Sequence, residues 1–283
     1  MRKNNIIVFC FLILLIVSCQ KEIDWGLGGT ANKLLVKISS KTGTDSTQVE
    51  YFYDASKRLI REKTTGVSGA QSLNNELKIN RNSSGIITTT VQKADALTAA
   101  GIDSIAIRFN YNTTTSKYSS SVFNLPIPGF SVTDSAVYTY NASGKIISDA
   151  HYLSLGGLPI PLPAILGLKN NYTYSTSGSN LEKTDREAAS TLGGPLSLVS
   201  SQAFTFDSKT NPLLILNEAV LLARSGLYNI NNTSKTVVTN TLSPANNFTM
   251  DYIYKYNSSG KPDSSYATRT PGGAITASKY FYQ

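Results

Sequence analysis

The sequence predicts an all-β fold: an antiparallel up-and-down meander of roughly 16–18 strands, forming a barrel-like or strongly curved sheet. Three observations predict it. Aromatic residues at alternate positions recur along the chain, often followed by Asn/Asp-x-x-Gly, so a strand and a tight bend repeat about every thirty residues. The composition is rich in Ser, Thr and Asn and includes 16 Tyr, 10 Phe and 20 Gly, with only 16% charged residues. β-Branched and aromatic side chains fit a pleated surface. Finally, convincing helical periodicity is absent.

The N-terminal segment differs from the rest. Arg2 and Lys3 precede an unbroken apolar run over residues 6–17, too short to span a bilayer as a helix. Ile16-Val17-Ser18-Cys19 follows, with an aliphatic residue three before the cysteine and a small one just before it. That is the pattern of a bacterial lipobox. Residues 1–18 read as the signal peptide, and the Cys19 thiol takes a diacylglycerol and becomes the new N-terminus. A plain secretory signal needs no cysteine there, and Gln20, Lys21 and Glu22 cut short any retained helical anchor.

Cys19-Gln20-Lys21-Glu22 also resembles the lipoprotein export signal of the Bacteroidetes, with Ile23 departing from a second acidic position. The resemblance implies an outer-membrane protein facing the cell exterior, a periplasm-facing anchor being the alternative. Residues 19–33, with Gly26, Gly28 and Gly29, read as the lipidated N-terminus and a flexible tether. Residues 34–283 read as a single repetitive β domain.

Charge and cysteine content narrow the partners. Cys10 leaves with the signal, so Cys19 is the mature chain's one cysteine, and no internal disulfide or thiolate metal site is expected. The formal charge of +8 falls to about +6 once Arg2 and Lys3 are removed. Basic residues are scattered singly, Lys57-Arg58 with Arg61 and Lys63 coming nearest to a cluster. No basic stripe emerges. Nucleic acid is therefore not an expected partner, and a solvated surface is expected in preference to attraction for anionic glycolipids.

The clearest repeat copies are Tyr51-Phe52-Tyr53-Asp54-Ala55-Ser56-Lys57-Arg58-Leu59, Tyr138-Thr139-Tyr140-Asn141-Ala142-Ser143-Gly144-Lys145-Ile146 and Tyr254-Lys255-Tyr256-Asn257-Ser258-Ser259-Gly260-Lys261. Weaker copies begin at Ile79, Phe109, Tyr172, Phe204 and Tyr228, and Tyr280-Phe281-Tyr282 closes the chain as half a unit. Alternate aromatics share one strand face, Asn or Asp starts the turn, and Gly supplies the positive φ that completes it. Each unit is thus a β-hairpin, with residues 34–38 as the leading strand. Residues 94–100 and 217–222 are the two places for a turn or two of helix within a loop.

These Tyr-x-Tyr-Asn/Asp-x-x-Gly-Lys/Arg-Ile/Leu units resemble the YD-type repeats of Rhs-like surface proteins. Paired with the lipobox, they are more similar still to Bacteroidetes lipoproteins of unknown function whose repeat domain has a porin-like β-meander fold. That family brings no established activity or catalytic residue. A barrel of this size is porin-sized, but a spanning barrel needs a continuous apolar outer face. Thr88-Thr89-Thr90-Val91-Gln92-Lys93 places Thr, Gln or Lys on both faces, so the expectation is a domain that does not span the membrane.

Strand parity gathers the tight turns and the tether at one end of the sheet and the longer connections at the other. Several of the latter are apolar and rich in Gly and Pro: residues 125–130, 155–163 and 192–196. Their candidate site residues are Leu125, Ile127, Phe130, Leu158, Ile160, Leu162, Leu192 and Leu196. Segment 216–222 is expected to add to that end. These loops either fold inward as a cap or form a rim that grips a ligand such as a glycan, a protein partner or lipid, the cap being favoured because large exposed apolar patches are uncommon. The tyrosine ladder likewise reads as packing between hairpins in preference to a carbohydrate platform.

Catalysis has little support. His151 is the one histidine and has no evident nucleophile or metal partner in the sequence. Nucleophile-elbow, zincin, P-loop and dinucleotide motifs are missing, as are Asp-x-Asp calcium loops, so neither cofactor nor metal is expected. The carboxylates placed at the loop end, Asp95, Asp103, Asp134, Glu187 and Glu218, fall in different hairpins. The expectation is a non-catalytic binding or scaffolding lipoprotein. The alternatives are a glycan-active envelope enzyme working through carboxylates and a purely structural envelope protein.

Overall fold

The computed structural model describes residues 33–69, 71–127, 130–156, 163–178, 180–191, 193–212, 220–222 and 229–283. Cys19, Gln20, Lys21 and Glu22 lie outside the described residues, and so do Leu158, Ile160, Leu162, Leu192 and Glu218. The strands are β1 (Leu35–Thr42), β2 (Asp45–Tyr53), β3 (Leu59–Ser68), β4 (Gln71–Arg81), β5 (Ile87–Lys93) and β6 (Ile105–Asn112). Next come β7 (Lys117–Ile127), β8 (Phe130–Tyr140), β9 (Ile146–Gly156), β10 (Ile165–Tyr174) and β11 (Leu181–Ala189). The remainder are β12 (Leu196–Thr210), β13 (Asn231–Asn240), β14 (Phe248–Tyr256), β15 (Pro262–Thr270) and β16 (Ile275–Tyr282). Each strand pairs antiparallel with its neighbours in sequence, and β16 pairs back onto β1. The expected meander therefore closes into a 16-strand barrel.

The repeat explains the closure locally. In the hairpin joining β8 to β9, the Asn141 N–H bonds the Lys145 carbonyl, and the Gly144 N–H bonds the Asn141 carbonyl. The Lys145 N–H then bonds the Asn141 side-chain oxygen. Gly144 takes φ +79°, which a side chain rarely adopts. Asp54, Asn82 and Asn257 make the same three bonds in their hairpins. A β-bulge just before the second aromatic recurs at Phe52/Tyr53, Asn110/Tyr111, Thr139/Tyr140, Thr173/Tyr174 and Lys255/Tyr256. Bulges bend a strand and raise its twist, as a closed sheet requires.

Leu35, Leu59, Ile87, Ile146 and Leu181 open β1, β3, β5, β9 and β11 and are almost fully buried at the turn end. Tyr53, Tyr111, Tyr140, Tyr174 and Tyr282, from the ends of even-numbered strands, pack against them. The expectation that the tyrosines pack between hairpins agrees with this arrangement. At the loop end a short helix, α1 (Asp95–Ala99), forms within the stretch where the sequence placed one. Leu97 and Ile102 pack there on Ile105, Leu125, Phe123 and Val132.

One expectation is overturned. The described part of segment 216–222, Val220–Leu222, does not join the apolar loops, because β12 runs on to Thr210 and β13 begins at Asn231, both at the turn end. The unit at Phe204 does not close a hairpin of its own: Phe206 pairs with Thr233 of the next strand, and between them a 3-10 turn (Val220–Leu222) carries Leu221 and Leu222 into the turn-end core.

The outer wall carries paired charges alongside exposed apolar side chains such as Val137, Ile253, Tyr266 and Phe281. Lys37, Glu50, Lys63, Glu76 and Lys93 stand directly opposite one another across β1 to β5, a row of alternating charge. Arg61 bridges Glu76, and Lys235 bridges Asp251. Opposite charges on facing strands stabilise a sheet in water by about 0.2–1 kcal/mol per pair.

Candidate functional site on the inner wall

Between the two apolar clusters, the inner wall of β7 to β11 carries a set of charged and polar side chains. Period-two alternation puts Asp149 and His151 of β9 on the inner face, and hairpin register puts Tyr138 opposite Asp149 and Ala136 opposite His151. Asp134, two residues from Ala136 on β8, shares that face and reaches His151 diagonally. Asn170 on β10 stands opposite Asp149, and Arg186 on β11 stands opposite Asn170.

His151 joins the set. Its Nδ1 lies 2.9 Å from Asp134 Oδ2 and its Nε2 3.4 Å from Asp149 Oδ1. Asn170 Nδ2 donates to Asp149 Oδ1 at 2.7 Å, and the Tyr172 hydroxyl donates to Asp149 Oδ2 at 2.8 Å. Arg186 Nε donates to the Asn170 side-chain oxygen at 3.0 Å. The Tyr138 hydroxyl donates to Ser121 Oγ at 2.7 Å. The His151 side chain keeps 21% of its surface exposed, whereas Asp134 keeps 2%. Solvent inside the barrel therefore reaches the imidazole and not the carboxylate behind it.

Electrostatics fix the protonation state. Burial alone would lower the pKa of His151, but hydrogen bonds to Asp134 and Asp149, together with their charges, overcome it and raise the pKa to about 10. Burial would raise Asp149, yet the bonds from His151, Tyr172 and Asn170 and the imidazolium charge hold it below the usual carboxylate range. Burial, with the Asp149 charge, pushes the Tyr172 phenol well up. The result is an imidazolium flanked by carboxylates, with Arg186 one residue further round the wall. Charges this deep persist only when paired and hydrogen-bonded.

His151, for which the sequence shows no nucleophile or metal partner, thus has two carboxylate partners, and the placing of Asp134 among the loop-end carboxylates is corrected: it sits on the inner wall of β8, whereas Glu187 lies opposite Lys169 two residues from the loop-end terminus of β11. Asp95 and Asp103 do lie at the loop end. The signal for the site was present: Asp149 and His151 are two apart on one face, and the Asn141–Gly144 turn fixes which β8 residues oppose them. Arg186 and Asn170 had no comparable signal, because in the sequence neither connection of β10 carries the Asn/Asp-x-x-Gly bend that fixes register.

The apolar loop residues are placed only in part. Leu125 belongs to β7 and is 4% exposed, packed in the loop-end cluster. Ile127 and Phe130 close the β7–β8 hairpin opposite each other, and Leu196 opens β12 half-buried. Among the described residues, no group of three or more His, Cys, Asp or Glu could hold a metal ion.

A second polar cluster anchors the 211–230 connection. The Asn180 side-chain oxygen accepts from the Ile230 N–H at 2.9 Å, and the Leu181 N–H donates to the Asn229 side-chain oxygen at 2.7 Å. Tyr256 donates to Asp207, and Asn232 Nδ2 donates to the Tyr256 hydroxyl at 3.1 Å. Buried amides replace a tight turn here because their donors and acceptors satisfy irregular backbone.

The chain is similar in fold to the crystal structure of a porin-like protein from Bacteroides uniformis ATCC 8492, with TM-score 0.52, 12% identity, and 88% of this chain and 98% of that one covered. A porin-like protein from Bacteroides vulgatus ATCC 8482 aligns with TM-score 0.48 and 9% identity over 89% of this chain and 99% of its own. No family model and no curated protein matches the sequence.

Proposed function

We propose that the chain is a lipid-anchored protein of the bacterial outer membrane, displayed on the cell exterior, whose barrel is a non-catalytic binding or scaffolding module. The observation that carries this reading is the charged row Lys37–Glu50–Lys63–Glu76–Lys93 on the outer wall. A spanning barrel presents an apolar band about 25 Å tall to lipid. A wall of paired charges belongs in water, and a barrel in water is held at a membrane by an anchor of the kind read at Cys19. The fold shared with the porin-like protein of Bacteroides uniformis is consistent with an envelope setting.

The inner wall supplies the binding surface. The half-buried Arg186 guanidinium, held through its Nε by Asn170, lines it beside the partly exposed face of the His151 imidazolium, a cationic surface suited to a hydroxyl-rich ligand such as a glycan. The same geometry argues against glycan hydrolysis, because a general acid needs a raised pKa and Asp149 is held low.

Cell fractionation tests the reading. The intact protein is expected in the membrane fraction and Cys19→Ala in the water-soluble fraction. A Cys19→Ala chain that still requires detergent for extraction would show that the barrel itself enters the bilayer.

A further inference from the structure

We infer that the turn end of the barrel is a basic rim that lies against the anionic headgroups of the membrane, an inference that rests on reading Cys19 as the lipid anchor. In the sequence the lysines are scattered. The closed meander gathers them. Lys33, Lys57, Lys117, Lys145, Lys209 and Lys261 all lie in or next to turn-end connections. Arg58 and Arg81 lie there too, Arg58 paired with Asp54 at 2.7 Å. Among the described residues the other carboxylates of that end are Asp207, which accepts from Tyr256, Glu182 near the start of β11, and Asp263, so the basic groups remain in excess.

The loop end gathers no such excess. Its connections, residues 43–44, 69–70, 94–104, 128–129, 157–164, 190–195, 241–247 and 271–274, contain no lysine or arginine in sequence, and their charged residues are Asp95 and Asp103. Next to those connections Lys41, Lys93 and Arg269 offset Asp45, Asp95 and Asp103, so the barrel has one basic end and one near-neutral end.

The position of the tether gives this polarity an orientation. The Leu34 N–H bonds the Gln283 carbonyl at 2.8 Å, and Lys261 Nζ bonds the Lys33 carbonyl at 2.6 Å. The chain thus enters the barrel at the basic rim, so an acyl group on Cys19 would hold that rim towards the lipid. Lys117, Lys145 and Lys261 lie about 5 Å over tyrosine rings. Lys33, Lys57 and Lys209 are exposed. Basic residues near an anionic surface attract it within about a Debye length, roughly 10 Å at 0.1 M salt.

Vesicle sedimentation with the mature chain carrying Cys19→Ala isolates the rim from the anchor. The chain is expected to sediment with phosphatidylglycerol vesicles, to stay in solution with phosphatidylcholine vesicles, and to be released by salt. Lys57→Asn with Lys209→Ser should weaken binding about thirtyfold, equivalent to about 1 kcal/mol per lysine. Lys41→Ser with Lys93→Ser removes the same charge near the loop end and should leave affinity nearly unchanged, with thermal melts confirming that both variants fold. Equal loss in the two variants, equal binding to neutral vesicles, or no binding to anionic ones would each overturn the inference. No sample carries an acyl group, so such a failure would leave the fractionation result for Cys19 standing.

Discussion

The Lys145 ammonium lies 5.0 Å over the Tyr174 ring, and the Tyr174 hydroxyl donates to the carbonyl of Ile146, the residue after that lysine, at 2.9 Å. The same two-point contact joins Lys117, Tyr118 and Tyr140, and again Lys261, Pro262 and Tyr282. The Gly-Lys and second-aromatic positions of the repeat are therefore two halves of one stitch between adjacent strands. Tyr174→Phe is expected to lower stability by about 1 kcal/mol through the lost hydrogen bond. Lys145→Met should cost about 0.5–1 kcal/mol and nothing further in a Tyr174→Leu background. Denaturant melts of the single and double variants measure the coupling, and strictly additive effects would dissolve the stitch.

Gly66 and Gly144 separate two reasons for glycine. A Cβ on Gly66 would lie 2.1 Å from the Ser46 carbonyl oxygen on the paired strand. Gly66→Ala must push β2 and β3 apart and should cost about 1–3 kcal/mol, the usual range for overpacking. At Gly144 the space is open, with only the tip of Lys117 within 4 Å, and the constraint is φ +79°. Gly144→Val should therefore destabilise, while Gly144→Asn, tolerant of that region, should recover most of the loss. Thermal melts that rank Asn no better than Val would argue against a backbone origin.

The inner-wall charges make stability depend on pH in a definite direction. His151 is held at about 10 in the folded chain, against about 6.5 in an unfolded one. A raised folded pKa contributes stability that is complete below about pH 6.5 and is lost as pH climbs towards 10. Asp149, held low, contributes in the opposite sense, its share being lost as pH falls through the acid range below its unfolded value near 3.9. The unfolding free energy should decline from pH 6.5 to 10, and His151→Gln should flatten that decline. Urea melts across the range decide it; an unaltered slope in the glutamine variant would assign the dependence to other groups.

Leu221 and Leu222, between β12 and β13, are expected to be part of the core. Leu222 is 8% exposed among residues that open β1, β3, β5, β9 and β11. Leu222→Ala should cost about 2–5 kcal/mol, as for other buried leucines, whereas a connection lying outside the barrel would give a loss below 0.5 kcal/mol. Equilibrium unfolding distinguishes the two outcomes.

Legibility varied with the range of the interaction. The hairpins at Asp54, Asn82, Asn141 and Asn257 could be read because their bonds close within four or five residues. The strand continuing from Phe206 to Thr210 could not, because what holds it is Asn229–Asn232 from beyond the connection. His151 was visible as a residue but not as a partner, since Asp134 lies 17 positions away and meets it only through register.

Alternating aromatics and Asn-x-x-Gly bends by themselves determined a meander of hairpins, because both signals act between near neighbours and need no other part of the chain. Tertiary structure alone decided that β16 meets β1, that Leu221 and Leu222 fill the turn end, and that dispersed lysines share a rim. Each of these depends on the accumulated bend and register of sixteen strands, a sum over the whole chain that no single repeat contains.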